Sequence, residues 1–140
     1  MFLLSSFSKK NPWRQALRGF VYRFPFLTKL LRGIIEDWEI RLPATATPWG
    51  WRLSGGPQMT SGDFEPETVD CVRDLLGECD VLINIGANVG FFCCHALEMG
   101  KTVIAVEPAE RNLRFLLRNI RQKSGWPERA EIWPLAVGSR

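Results

Sequence analysis

Between Asp80 and Phe92 the chain reads DVLINIGANVGFF, an apolar run that stops in a knot of small residues and then resumes. Gly86 can adopt positive φ and lets a ligand approach the backbone with no Cβ in the way. Asn88 tolerates the same left-handed geometry, and Gly90 lets the next helix pack closely on the strand. Amides at the start of that helix favour an anionic group such as a carboxylate. Glu107 ends the run TVIAVEP about 20 residues further on, where an acid accepts hydrogen bonds from ribose hydroxyls. A Gly-rich turn followed by an acid at the next strand end is chemistry for holding a nucleoside-bearing ligand. The plainer alternative leaves Gly86 and Gly90 as tight-turn residues and Glu107 as the opening of a helix.

The spacing separates ligand classes. A dinucleotide fingerprint wants G-x-G-x-x-G, and the corresponding places hold Gly86, Asn88 and Phe91, so a bulky ring stands where the third glycine belongs. This disfavours a nicotinamide-dependent oxidoreductase. A P-loop is excluded because no G-K-[ST] follows. The single histidine, His95, falls mid-helix among apolar neighbours and reads as a packed residue without a catalytic role. Cys71, Cys79, Cys93 and Cys94 form no C-x-x-C pair and no zinc-ligand pattern, so no metal site is expected; reduced, buried thiols agree with a cytoplasmic setting.

The elements that must position this turn follow from hydrophobic patterning. Val81, Leu82, Ile83 and Ile85 make a short apolar run, the mark of a parallel strand covered on both faces. VGFFCCHALEM, from Val89 to Met99, reads as a buried helix closed by Gly100. TVIAVEP is a second strand, stopped by Pro108. AERNLRFLLRNIRQK places Leu113, Leu116, Leu117 and Ile120 on one helical stripe that ends by Ser124 and Gly125. AEIWPLAV is a third strand whose Pro134 removes a ladder donor and suits an edge. Strand, helix, strand, helix, strand is half of a doubly wound α/β fold, with strand order 3-2-1 and a ligand crevice beyond the carboxyl end of the first strand.

Upstream, Val69, Val72, Leu75 and Leu76 have helical spacing, with Gly77 as the stop. Trp38, Ile40 and Leu42 share one face of a short strand, and the turn signals Pro48 and Gly50 make a small β-hairpin of the stretch from Trp38 to Leu53. Residues 12–36 read as an amphipathic helix broken near Pro25. The chain thus divides into a basic helical and hairpin extension, residues 1–61, and a partial Rossmann-like domain, residues 62–140.

Charge is distributed unevenly. Residues 1–35 hold seven of the 18 Lys and Arg and none of the 15 acids, so any attraction to an anionic surface resides in that arm. The favoured reading packs the arm's apolar face on the domain; the sharper one is a peripheral contact with a membrane surface or an acidic partner. No apolar run approaches membrane-spanning length, and MFLLSSFSKK puts apolar before basic residues, the reverse of a secretory signal.

VLINIGANVGFF, then VIAVEPAERNLRFLLRNI, then AEIWPLAVG resemble the FkbM-type S-adenosylmethionine-dependent methyltransferases, as does FEPE at Phe64 to Glu67. That family has a strand ending in D-x-G-A-N-x-G, E-P at the end of the next strand, and a helix ending in a Leu-x-x-Asn-like segment. The likeness spans residues 62–138. It implies a Rossmann-like class I methyltransferase fold, here its first half, in which Gly86, Ala87, Asn88 and Gly90 line the methionine end of S-adenosyl-L-methionine and Glu107 holds the ribose. The implied reaction is methyl transfer to an oxygen, or alternatively a nitrogen, of a small molecule or sugar; no nucleic-acid partner is expected. Asn84 departs from the family's aspartate and lacks the charge that would face the cofactor's ammonium. The family fold continues past the third strand, so the expectation is a truncated, inactive enzyme with no catalytic residue of its own to name. The competing class is a non-catalytic module that docks through its basic arm.

Overall fold

The computed structural model describes residues 24–138, in two compact units with the boundary after Arg41. In the first unit the described part is one helix, α1 (Pro25–Arg41). Pro25 takes the first helical position, where its missing N–H would have no partner anyway. A helix thus begins where the break near Pro25 is expected, and the part of that expectation before Phe24 lies outside the described residues. The strand read through Trp38, Ile40 and Leu42 is corrected: Trp38 and Ile40 continue α1. The repeat from Ile34 to Trp38 keeps the helical period, and the helix stops because Pro43 forces Leu42 out of helical geometry. The apolar positions Phe26, Leu30, Leu31, Ile34, Ile35 and Trp38 are exposed.

The second unit opens with a hairpin of β1 (Thr45–Ala46) and β2 (Arg52–Leu53), antiparallel with Thr45 opposite Leu53. Its loop is closed by Thr47, whose amide and hydroxyl both donate to the Trp51 carbonyl, at 2.9 and 2.8 Å. After a short 3-10 turn at Pro57–Met59 comes α2 (Pro66–Glu78), entered through a left-handed Glu65. Gly77 does not stop this helix; it lies inside, and the chain becomes extended only at Cys79.

Then follow β3 (Val81–Ile85), α3 (Phe91–Glu98), β4 (Thr102–Val106), α4 (Glu110–Ile120), a 3-10 turn at Pro127–Arg129 and β5 (Ala130–Trp133). The strands are parallel, in the order β3-β4-β5, with Ile83 beside Ile104 and Ala105 beside Ile132. This is the first half of a Rossmann-like α/β fold. β5 lies at an edge and ends just before Pro134, as a proline without an N–H requires.

The core lies on one side of the sheet. Val103 and Ala105 of β4 are fully buried, as are Cys93, Cys94, Ala96 and Leu97 of α3 and Leu116 of α4. The expectation that β3 is covered on both faces fails: Ile83 and Ile85 are 63% and 64% exposed, and Val81 and Trp133 are exposed as well. Handedness is the reason. Both crossovers run in the same direction across the sheet, so a right-handed path carries α3 and α4 to the same face. The thiols divide similarly, Cys93 and Cys94 buried but Cys71 and Cys79 exposed, which corrects the expectation of four buried thiols.

Candidate functional site

The turn from β3 into α3 is anchored on the carboxyl end of β4. The amides of Gly86 and Ala87 both donate to the Val106 carbonyl, at 2.8 and 3.0 Å, and the Gly90 amide donates to the Ala87 carbonyl at 2.9 Å. Three residues in five are left-handed: Gly86 at φ 80°, Asn88 at 53° and Gly90 at 86°. Glu107 arrives from the next strand and points at this turn. One carboxylate oxygen accepts the Asn88 amide at 2.8 Å; the other accepts the Ala109 amide at 2.9 Å and the Asn112 side-chain amide at 3.2 Å. A buried carboxylate without a cation is expensive unless donors surround it, and these three supply that compensation. Gly86, Ala87, Asn88, Gly90 and Glu107 therefore come together. Asn84 does not join them: it pairs with Ala105 on the covered face, and its side-chain amide donates to the Cys93 thiol at 3.4 Å.

The two ends of the turn differ in what surrounds them. A Cβ added to Gly86 would meet nothing within 4 Å, whereas one on Gly90 would stand 2.5 Å from Leu116 Cδ1. Gly90 is thus required by its closeness to α4, not by packing on the strand as the sequence reading had it. One helical turn along α4, the buried Asn119 finishes the clamp. Its oxygen accepts the Ser54 amide at 2.8 Å, and its NH2 donates to the carbonyls of Ser54 at 3.0 Å and Val89 at 2.8 Å. Hairpin, turn and α4 are locked by one side chain. Sequence reasoning put Leu116 on the apolar stripe of this helix but gave Asn119 no role, although the Leu-x-x-Asn segment was the available signal.

No protein-family model matches the chain, and no curated protein matches it. Among solved structures, the crystal structure of a "putative RNA methyltransferase" from Pyrococcus horikoshii aligns with a TM-score of 0.44 and 20% identity, over 75% of this chain and 53% of that one. The chain thus spans about half the length of that protein. Likeness at this level carries no functional argument, so the chemistry rests on the turn and its carboxylate.

Below the turn, α3 sits in an aromatic box. Phe91 meets Trp49, Trp51, Phe64 and Phe92 edge-on, with centroids 5.2 to 5.8 Å apart, and His95 lies 4.5 Å from Trp49 and 4.8 Å from Phe91. Phe91 is core and does not stand in the mouth of the turn. Arg73 approaches His95 Nδ1 at 3.2 Å. Guanidinium only donates, so Nδ1 must carry the lone pair and Nε2 the proton. That Nε2–H is buried without an acceptor, as is the indole N–H of Trp51. Burial first, and the Arg73 charge second, lower the His95 pKa to about 4, so the ring is neutral at physiological pH. Burial likewise raises the Cys93 thiol to about 11 and the Cys94 thiol well above its ordinary value, which makes both poor nucleophiles. No metal-ligating cluster occurs among the described residues.

Proposed function

We propose that the turn and Glu107 hold S-adenosyl-L-methionine and that the protein is an S-adenosylmethionine-dependent methyltransferase acting on an oxygen of a small molecule or sugar. One observation carries the reading: the carboxylate at the end of β4 meets the Asn88 amide of the turn, while the space where a Gly86 Cβ would sit is open. The residues fit such a guest. Gly86 leaves room for it, and the helix start beyond the turn favours a carboxylate. Glu107 already accepts three donors and retains about one acceptor position of the four a carboxylate offers, enough for one ribose hydroxyl.

When bound, the cofactor supplies a methyl group activated on a sulfonium. The chain's part is to bind and orient. Glu107 ties the turn to β4 so that both ends of a nucleoside meet fixed partners, and such positioning is worth several orders of magnitude in rate when the acceptor is aligned. None of the described residues is assigned as general base.

Isothermal titration of the full chain with S-adenosyl-L-methionine tests the reading. Binding that falls more than about tenfold in Gly86→Val and Glu107→Gln supports it, since each removes space or an acceptor at the site. Absence of binding by the wild-type chain overturns it. That result would favour the second reading, a non-catalytic Rossmann-like module, for which the observation is that every Glu107 oxygen is already engaged internally.

A further inference from the structure

α1 shows a feature that the cofactor reading does not use. At 100° per residue, Phe26, Leu30, Ile34, Trp38, Leu31 and Ile35 fall within one half of the helix circumference, which carries no charge over the first three turns; Asp37 and Arg41 enter it only beyond Ile35. All six are exposed, Phe26 by 81%. Lys29, Arg32, Glu36 and Glu39 share the opposite arc. A coiled-coil partner needs a seam of only two positions per heptad, so a single facing helix would leave much of this arc wet. A planar apolar phase would not.

Charge identifies that phase. Lys29 and Arg32 are the only ionised side chains in the first three turns of α1, and acids begin at Glu36. Upstream, Lys9, Lys10, Arg14, Arg18 and Arg23 extend the basic run with no acid among them. The positive end therefore leads and the acidic end trails. A helix with a broad Phe-, Leu-, Ile- and Trp-bearing arc and a basic leading half matches a bilayer interface carrying anionic headgroups, where each base adds attraction and Trp settles at the headgroup level. No helix among the described residues is long and apolar enough to cross a membrane. A helix of this kind suits the plane of such a surface.

We infer that α1 is a membrane-surface anchor that places its Phe26–Trp38 arc in the outer layer of an anionic bilayer, with the basic residues around its start drawn to lipid headgroups. The inference rests on α1 and on the charge of the sequence that precedes it, and is independent of the cofactor reading.

Co-sedimentation of the full chain tests it, with vesicles of phosphatidylcholine alone and of phosphatidylcholine mixed with phosphatidylserine. The chain should pellet with the anionic vesicles, stay in solution with the neutral ones, and be released by high salt. Lys29→Gln and Arg32→Gln should each weaken binding about fivefold, and Phe26→Ser at least about tenfold. Phe26 and Lys29 are exposed on α1, and circular dichroism of each variant checks that the helix survives. The inference is overturned if the chain ignores anionic vesicles, or if it pellets with them and folded Phe26→Ser binds as tightly as wild type. Binding to a soluble polyanion such as heparin without binding to anionic vesicles also overturns it and points to an acidic macromolecule instead.

Discussion

Gly86 and Gly90 bound the same turn and share a left-handed backbone, at φ 80° and 86°, yet one faces open space and the other is pressed against Leu116. On the Gly90 side the chain is fixed from three directions, by Leu116, by Asn119 on the Val89 carbonyl, and by the aromatic box around Phe91 and His95. On the Gly86 side only backbone bonds to Val106 and the Glu107 carboxylate hold the turn. The difference teaches that a glycine in a motif answers two separate demands, conformation and clearance. Only the first is common to both. A site that must admit a ligand needs one wall rigid and the other unfilled, and this turn has that division.

The sharpest way to break the comparison is to loosen the packed side. Asn119→Ala strands the Ser54 amide and the carbonyls of Ser54 and Val89 in the interior, and should cost about 4 kcal/mol in urea unfolding at a cost of 1–3 kcal/mol per orphaned group. A loss below about 1 kcal/mol would mean that water reaches these groups. Gly90→Ala combines left-handed strain with overpacking on Leu116 and should cost about 3 kcal/mol. Adding Leu116→Ala should restore part of that loss, a coupling that a double-mutant cycle measures.

His95 belongs to the packed side as well, and its titration gives a pH signature. Its folded pKa is about 4, below the ordinary 6.5 expected of the unfolded chain, so unfolding takes up a proton between these values. The full contribution, about 3 kcal/mol, is present above pH 6.5 and is lost as pH falls through 4. Unfolding free energies measured across this window should slope steeply in the wild type and flatten in His95→Leu. On the open side the effects are smaller. Gly86→Ala meets no atom and should cost only the left-handed strain, about 1–2 kcal/mol. Ile83→Ser, on the exposed face of β3, should stay within about 0.5 kcal/mol of wild type. If Gly86→Ala proves as damaging as Gly90→Ala, the open side is closed in solution and the comparison fails.

Much of the fold was legible because it depends on local pattern. The apolar runs at Val81–Ile85 and Thr102–Val106 became adjacent parallel strands; of the stripe Leu113, Leu116, Leu117 and Ile120, Leu116 and Ile120 are buried, together with Phe115 and Asn119, while Leu113 and Leu117 are half-buried. Errors came where two periods fit the same residues. Trp38, Ile40 and Leu42 alternate like a strand, yet Ile34 and Trp38 also keep the helical repeat, and Pro43 set the boundary. Of the candidate site, the turn, the left-handed Gly86 and Asn88 and the carboxylate beside them could be named in advance, whereas the left-handed backbone of Gly90 could not. Asn84 could not be placed, because whether a strand-end side chain faces the crevice or the helix depends on which face the crossover covers.

The sequence by itself determined which residues could adopt left-handed backbone, where strands and helices alternate, and that positive charge gathers at one end, since these are properties of residues and their near neighbours. The tertiary structure alone decided that Leu116 fills the space over Gly90, that Gly86 stays clear, that Glu107 spends its oxygens on Asn88, Ala109 and Asn112, and that Val81, Ile83 and Ile85 of β3 are exposed among the described residues. Those outcomes turn on distances between segments remote along the chain. Such distances are set by the hand of the crossovers and the close packing of α4 on the turn, neither of which a local pattern encodes.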